Sequence, residues 1–135
     1  MRIVVDGNDG TGKSTLVEAL RALGFSVSDR GLPTRMTDDD ALADTGDAFY
    51  LILDAPVDVC QSRLAQAGKD LSEQYHTRED LTHYRARFRE VSRRLRRCRE
   101  IDSSGTREET LAAALRALEE ARLGQPPSPV RRTDI

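Results

Sequence analysis

The chain has 135 residues, enough for one domain with its own core. Its residues are 38% hydrophobic and 33% charged, and no apolar stretch reaches the ~20 residues of a membrane-spanning helix. A formal net charge of -2 excludes a strongly basic nucleic-acid binder as the whole-chain reading.

Arg2 to Asp6 is a β-branched apolar run, which predicts a strand buried on both faces, as in parallel sheets. Gly7 to Gly12 is loop. Leu16, Ala19, Leu20 and Leu23 fall at helical spacing, so Ser14 to Leu23 is expected as a helix stopped by Gly24. Phe25 to Ser28 is a second short strand. Arg30 to Thr45 is irregular, with room for one short helix. Ala48 to Leu53 is the strongest strand, and Pro56 then suits the first turn of a helix ending near Gly68. Thr77 and Asp80 have the spacing of a capping box and open an Arg-rich helix through about Arg97. Cys98 to Asp102 is the last strand, and Thr106 with Glu109 caps a final helix to about Leu123.

Strands and helices in alternation predict an α/β domain over residues 1–123, with a parallel sheet and right-handed crossovers. The Pro- and Arg-containing segment 124–135 is expected as a flexible tail. Ligands of such sheets bind beyond the carboxyl ends of the strands, so the segments after Asp6, Ser28, Leu53 and Ile101 should surround any site. The N-terminus lacks signal-peptide anatomy, and the expectation is a cytoplasmic protein whose Cys60 and Cys98 are buried thiols.

Gly7-Asn8-Asp9-Gly10-Thr11-Gly12-Lys13-Ser14 matches the Walker A pattern G-x-x-x-x-G-K-[ST] at every fixed position, between a predicted strand and a predicted helix. The glycines let backbone N–H groups curl around phosphate oxygens, and the helix N-terminus adds positive potential. In such a loop Lys13 reaches the β- and γ-phosphates of ATP, and the Ser14 hydroxyl ligates Mg²⁺. Asp9 is unusual there, because a carboxylate beside phosphates repels them unless it points away. A substrate hydroxyl is a partner it can accept from.

Asp6 to Thr15 resembles the phosphate loop of the thymidylate kinase family of nucleotide kinases, and more broadly of deoxynucleoside kinases. Asp29-Arg30 after the second strand resembles that family's Asp-Arg pair. Leu53-Asp54-Ala55-Pro56 with Arg63, and Ile101 to Gly105, resemble its later strands and adenine-side loop. The resemblance implies a P-loop NTPase three-layer fold and an ATP- and Mg²⁺-dependent kinase acting on a (deoxy)nucleoside monophosphate or related nucleoside-type acceptor. It also implies the site. ATP lies on Asp9, Gly10, Thr11, Gly12, Lys13, Ser14 and Thr15, with Arg63 stacked on the adenine and Ser103 and Ser104 along its edge. Asp9, Arg30 and Arg35 face the acceptor, Lys13, Asp29 and Arg30 serve catalysis, and Ser14 and Asp29 lie at the metal.

The chain departs from the family in three places. Only Gly24 to Ser28 separate the first helix from Asp29, which implies a sheet of about four strands with the Asp29 strand beside the phosphate-loop strand. The stretch from Arg30 to Phe49 is short, so the acceptor pocket should be open or closed by a second subunit of a homodimer. Ala67 and Leu71 stand where the family's lid carries arginines, leaving Lys69, Arg78, Arg85 or Arg87 as substitutes.

Of the 21 basic residues only Lys13 and Lys69 are lysines, and nine arginines fall between Arg78 and Arg99 against three acids. That local excess motivates a second reading, a kinase acting on a modified base in DNA, although nucleic acid is not the favoured partner. The missing lid arginines motivate a third, a nucleotide-binding regulatory module with little catalysis. Tyr75, His76 and His83 flank the lid. The two histidines read as surface or structural residues and make no metal site by themselves.

Overall fold

The structure is a computed structural model and describes residues 2–29 and 48–121. Among these residues four parallel strands form one sheet in the order β2-β1-β3-β4: β1 (Ile3–Gly7), β2 (Val27–Asp29), β3 (Phe49–Asp54) and β4 (Cys98–Asp102). The expected four-stranded sheet is therefore present, and β2 does lie beside β1, with Ile3 opposite Val27 and Val5 opposite Asp29. On its other side β1 pairs with β3 from Ile3–Phe49 to Gly7–Leu53. The β-branched run of β1 is buried at every position because β1 is a central strand covered on both faces.

Helices α1 (Lys13–Ala22) and α4 (Arg107–Glu120) cover one face. Leu16, Val17 and Leu20 of α1 and Ala114, Ala117 and Leu118 of α4 pack on Ile3, Val5, Leu51, Leu53 and Ile101. The other face carries Val4, Tyr50 and Ile52 under Val91 and Leu95, at the end of α3 (Arg78–Ser92). Helix α2 (Val57–Gln66) docks through Cys60 and Leu64 on Leu81, at the start of α3. The β3–α2 and α2–α3 connections thus lie at the carboxyl ends of the strands.

Two boundaries differ from the sequence reading. The second strand is shifted from Phe25–Ser28 to Val27–Asp29, because Phe25 turns into the core against α1. Helix α3 stops at Ser92 rather than near Arg97. Ser92 Oγ donates to the Arg89 carbonyl at 3.0 Å, and the chain turns so that Leu95 enters the core and Cys98 reaches its place opposite Tyr50. Arg93, Arg94, Arg96, Arg97 and Arg99 therefore sit at the amino end of the sheet, away from the phosphate loop. The short helix looked for within Arg30 to Thr45 and the 124–135 tail lie outside the described residues. Among the described residues no helix is long and apolar enough to cross a membrane.

Candidate functional site

The loop after β1 is fixed by its own backbone. Thr11 Oγ1 donates to the Asn8 carbonyl at 2.6 Å, and the Asn8 side-chain amide donates to the Leu81 carbonyl of α3 at 2.7 Å. Gly10 has φ +86°, and a Cβ there would stand 2.6 Å from the Cys60 carbonyl oxygen of α2. Only glycine combines that dihedral with that approach. Gly12 closes the loop at φ 93° as the N-cap of α1.

Helix α1 differs from α3 and α4 at its start. Thr77 caps α3 and Thr106 with Glu109 makes a complete capping box on α4, whereas Gly12 offers α1 no side-chain cap. The first turn of α1 carries no acidic residue, so its amides face the loop unshielded. The Lys13 ammonium folds back into the loop, donating to the Gly7 carbonyl at 2.7 Å and the Asn8 carbonyl at 3.1 Å, and lies 3.4 Å from Asp9 Oδ1. Ser14 and Thr15 follow, both exposed.

The loop opens on a cleft of about 380 Å³ between α1 and α4, lined among others by Thr11, Gly12, Thr15, Arg63 and Ser103. Arg63 of α2 ties its walls together. Its guanidinium donates to the carbonyls of Ser103 at 2.6 Å, Gly105 at 3.0 Å and Gly10 at 3.3 Å. Ser103 is held in turn by the Asp54 carbonyl, which accepts from its amide at 2.8 Å. Ser104 turns aside: its hydroxyl and amide donate to Asp102 Oδ1 at 2.6 and 3.0 Å, and these bonds hold the Asp102 carboxyl below its ordinary range. Of the sequence-derived ATP residues, the structure therefore brings Thr11, Gly12, Thr15, Arg63 and Ser103 to one cleft, with Gly10 tied to it through Arg63 and Asp9 and Lys13 in the adjoining loop.

Asp29 ends β2 and is exposed, while Arg30 and Arg35 lie outside the described residues. Two lid candidates are engaged elsewhere. Arg78 pairs with Asp58 of α2. Arg85 Nε and Nη2 donate to the two oxygens of Asp54 at 2.9 and 3.2 Å, with Arg89 Nη2 adding a third bond at 2.9 Å. Burial alone would push the Asp54 carboxyl up. The bonds and charges of Arg85 and Arg89 outweigh it and hold that carboxyl below the usual range. Lys69 is exposed on the α2–α3 connection, and Arg87 pairs with Glu90 within α3.

The residue of that connection that does reach the loop is His76, which the sequence reading left among surface and structural histidines. Its side chain is only 12% exposed, and Nε2 lies 3.2 Å from Asp9 Oδ2. Nδ1 lies 3.2 Å from the Asp70 carbonyl oxygen. Tyr75, the preceding residue, has a positive φ of 71°, a conformation that costs a non-glycine residue roughly 1–2 kcal/mol. The Asp80 carboxylate accepts from the Tyr75 amide at 2.8 Å, and the Tyr75 ring stands edge-on to Tyr84 with centroids 5.5 Å apart. No sequence signal marks this turn, since neither glycine nor asparagine occupies it. Among the described residues no group of three or more His, Cys, Asp or Glu side chains is placed to hold a metal ion.

No protein-family model matches the chain. It is 34% identical over 113 residues to bifunctional cordycepin biosynthesis cluster protein 3 of Cordyceps militaris, an alignment taking in 64% of this chain and 13% of that protein. The chain thus spans about an eighth of the length of that curated relative.

Proposed function

We propose that the protein is a small P-loop kinase of the thymidylate kinase type, which uses ATP and Mg²⁺ to phosphorylate a (deoxy)nucleoside monophosphate or related nucleoside-type acceptor. One observation carries this reading: a complete glycine loop at the carboxyl end of β1, with the Lys13 ammonium folded into it, opens on a 380 Å³ cleft. Phosphates on the loop amides and an adenine in the cleft would span that arrangement.

In this reading Lys13 exchanges its two backbone carbonyl partners for the β- and γ-phosphates. Arg63 and Ser103 border the base, Asp9 faces an acceptor hydroxyl, and Asp29, Arg30 and Arg35 serve the acceptor side. The donor set fits Mg²⁺ that arrives with the nucleotide, since that ion is commonly held by substrate phosphates and one or two protein ligands. Ser14, exposed in the first turn of α1, and Asp29 are the residues that would hold it. When bound, Mg²⁺ neutralises charge developing on the transferred phosphoryl group.

Incubation with MgATP and a panel of nucleosides and nucleoside monophosphates tests the reading. Transfer to at least one acceptor is expected, lost in Lys13→Ala; no transfer to any would overturn it. The pairing of Arg78 with Asp58 and of Arg85 with Asp54 favours a second reading, a nucleotide-binding module with little turnover. The same assay separates the two, because that module binds MgATP through Lys13 without transferring phosphate.

A further inference from the structure

A carboxylate inside an anion-binding loop is electrostatically adverse, and Asp9 stands in the loop that leads to Gly12, the N-cap of α1. In the structure its charge is offset twice, by Lys13 Nζ at 3.4 Å from Oδ1 and by His76 Nε2 at 3.2 Å from Oδ2. On the kinase reading the first offset is lost when nucleotide binds, because the Lys13 ammonium then turns to the phosphates. The second comes from a different element and need not move.

His76 is built for that duty. The group facing Nδ1 is the Asp70 carbonyl oxygen and the group facing Nε2 is the Asp9 carboxylate. Both are oxygens that an imidazole N–H can face. Glu73 Oε2, 3.9 Å from Nδ1, adds negative charge on the far side of the ring. The strained Tyr75 turn, held by Asp80, aims the imidazole at the loop. Strain of this kind persists where surrounding structure over-determines it, and it gathers at working sites.

We propose that His76 is a positioning residue of the nucleotide site: standing 3.2 Å from Oδ2, it orients Asp9 and holds it aside once Lys13 has turned to the phosphates. Asp9 can then face an acceptor hydroxyl through Oδ1 without repelling the donor's phosphates. This role rests on the kinase reading and supplies the side-chain contact that Lys69, Arg78 and Arg85 do not bring to the loop.

Calorimetric titration of the full chain with MgATP tests it as a double-mutant cycle over Asp9 and His76. His76→Ala should weaken MgATP about tenfold in the wild-type background, the size expected for one uncompensated charge near the phosphates. In an Asp9→Asn background the same change should matter less than about twofold. His76→Arg should keep most of the affinity, and His76→Gln, which retains an N–H donor without charge, should lose an intermediate amount. Should His76→Ala fail to fold, His76→Gln replaces it in the cycle. Equal losses in both backgrounds, or no loss in either, overturn the role of His76 while leaving the kinase reading intact. Failure of the wild-type chain to bind MgATP overturns both.

Discussion

Asp54, the last residue of β3, is gripped side-on by Arg85 of α3, whose Nε and Nη2 reach separate carboxylate oxygens at 2.9 and 3.2 Å. This two-point contact fixes helix α3 to the sheet at the carboxyl end of the strands. The backbone carbonyl of the same Asp54 holds Ser103 at the cleft wall. One residue therefore links the cleft to the helix that starts beside the loop.

Asp54→Asn should cost about 1–2 kcal/mol at pH 7, since both arginines lose a charged, well-aligned partner that is largely shielded from water. The sign with pH follows from the lowered carboxyl. The folded state holds fewer protons than the unfolded one, whose ordinary value is 3.8, so the contribution is complete above that pH. It is lost as pH falls through the folded value. Urea unfolding at pH 7 and pH 3 should show the gap between wild type and variant shrinking at the lower pH.

Gly10 and Gly12 both sit at positive φ but differ in surroundings. A Cβ on Gly12 meets nothing within 4 Å, whereas one on Gly10 would stand 2.6 Å from a backbone oxygen of α2. Gly12→Ala should cost about 1 kcal/mol of dihedral strain and Gly10→Ala about 3 kcal/mol or more. Chemical denaturation curves give that order; equal costs would mean that α2 yields freely.

Arg63→Ala removes the donor shared by the carbonyls of Gly10, Ser103 and Gly105. A loss of about 2 kcal/mol is expected, a fall in Tm of roughly 8 °C for a chain of this size. Arg63→Lys should restore little, because one ammonium cannot reproduce the spread of the guanidinium fork. Thermal unfolding followed by circular dichroism reads both variants.

Burial raises the Cys60 thiol and pushes the Cys98 thiol up to about 12, so neither is a thiolate near neutral pH. Alkylation by iodoacetamide at pH 8.5 should be at least about a hundredfold slower at Cys98 in the native protein than in urea. Because the folded thiol binds its proton more tightly than the ordinary thiol at 9.0, Cys98 withdraws stability as pH rises above 9. Cys98→Ser should flatten that alkaline decline.

The elements were legible where local chemistry and tertiary demand agree. The β1 and β3 runs read as buried parallel strands, and Thr77 and Thr106 announce the helices they cap. The end of α3 was hidden because Arg93 to Arg97 contains no helix breaker; the stop comes from Leu95 entering the core. That Lys13, Arg63 and Ser103 gather around the glycine loop was expected from motif and resemblance. His76 was not, since its meeting with Asp9 depends on the fold of the α2–α3 connection and on a left-handed tyrosine.

The loop's anchors come from distant parts of the chain: Asn8 binds the Leu81 carbonyl, Gly10 accepts from Arg63, and Arg63 reaches Ser103. A polypeptide emerging residue by residue cannot complete the bracing of the loop until β4 and Ser103 have been made. Such non-local closure slows folding, and it makes the finished loop a late event of biosynthesis. A nascent chain halted before Ser103 would carry the whole glycine motif and still lack a formed site.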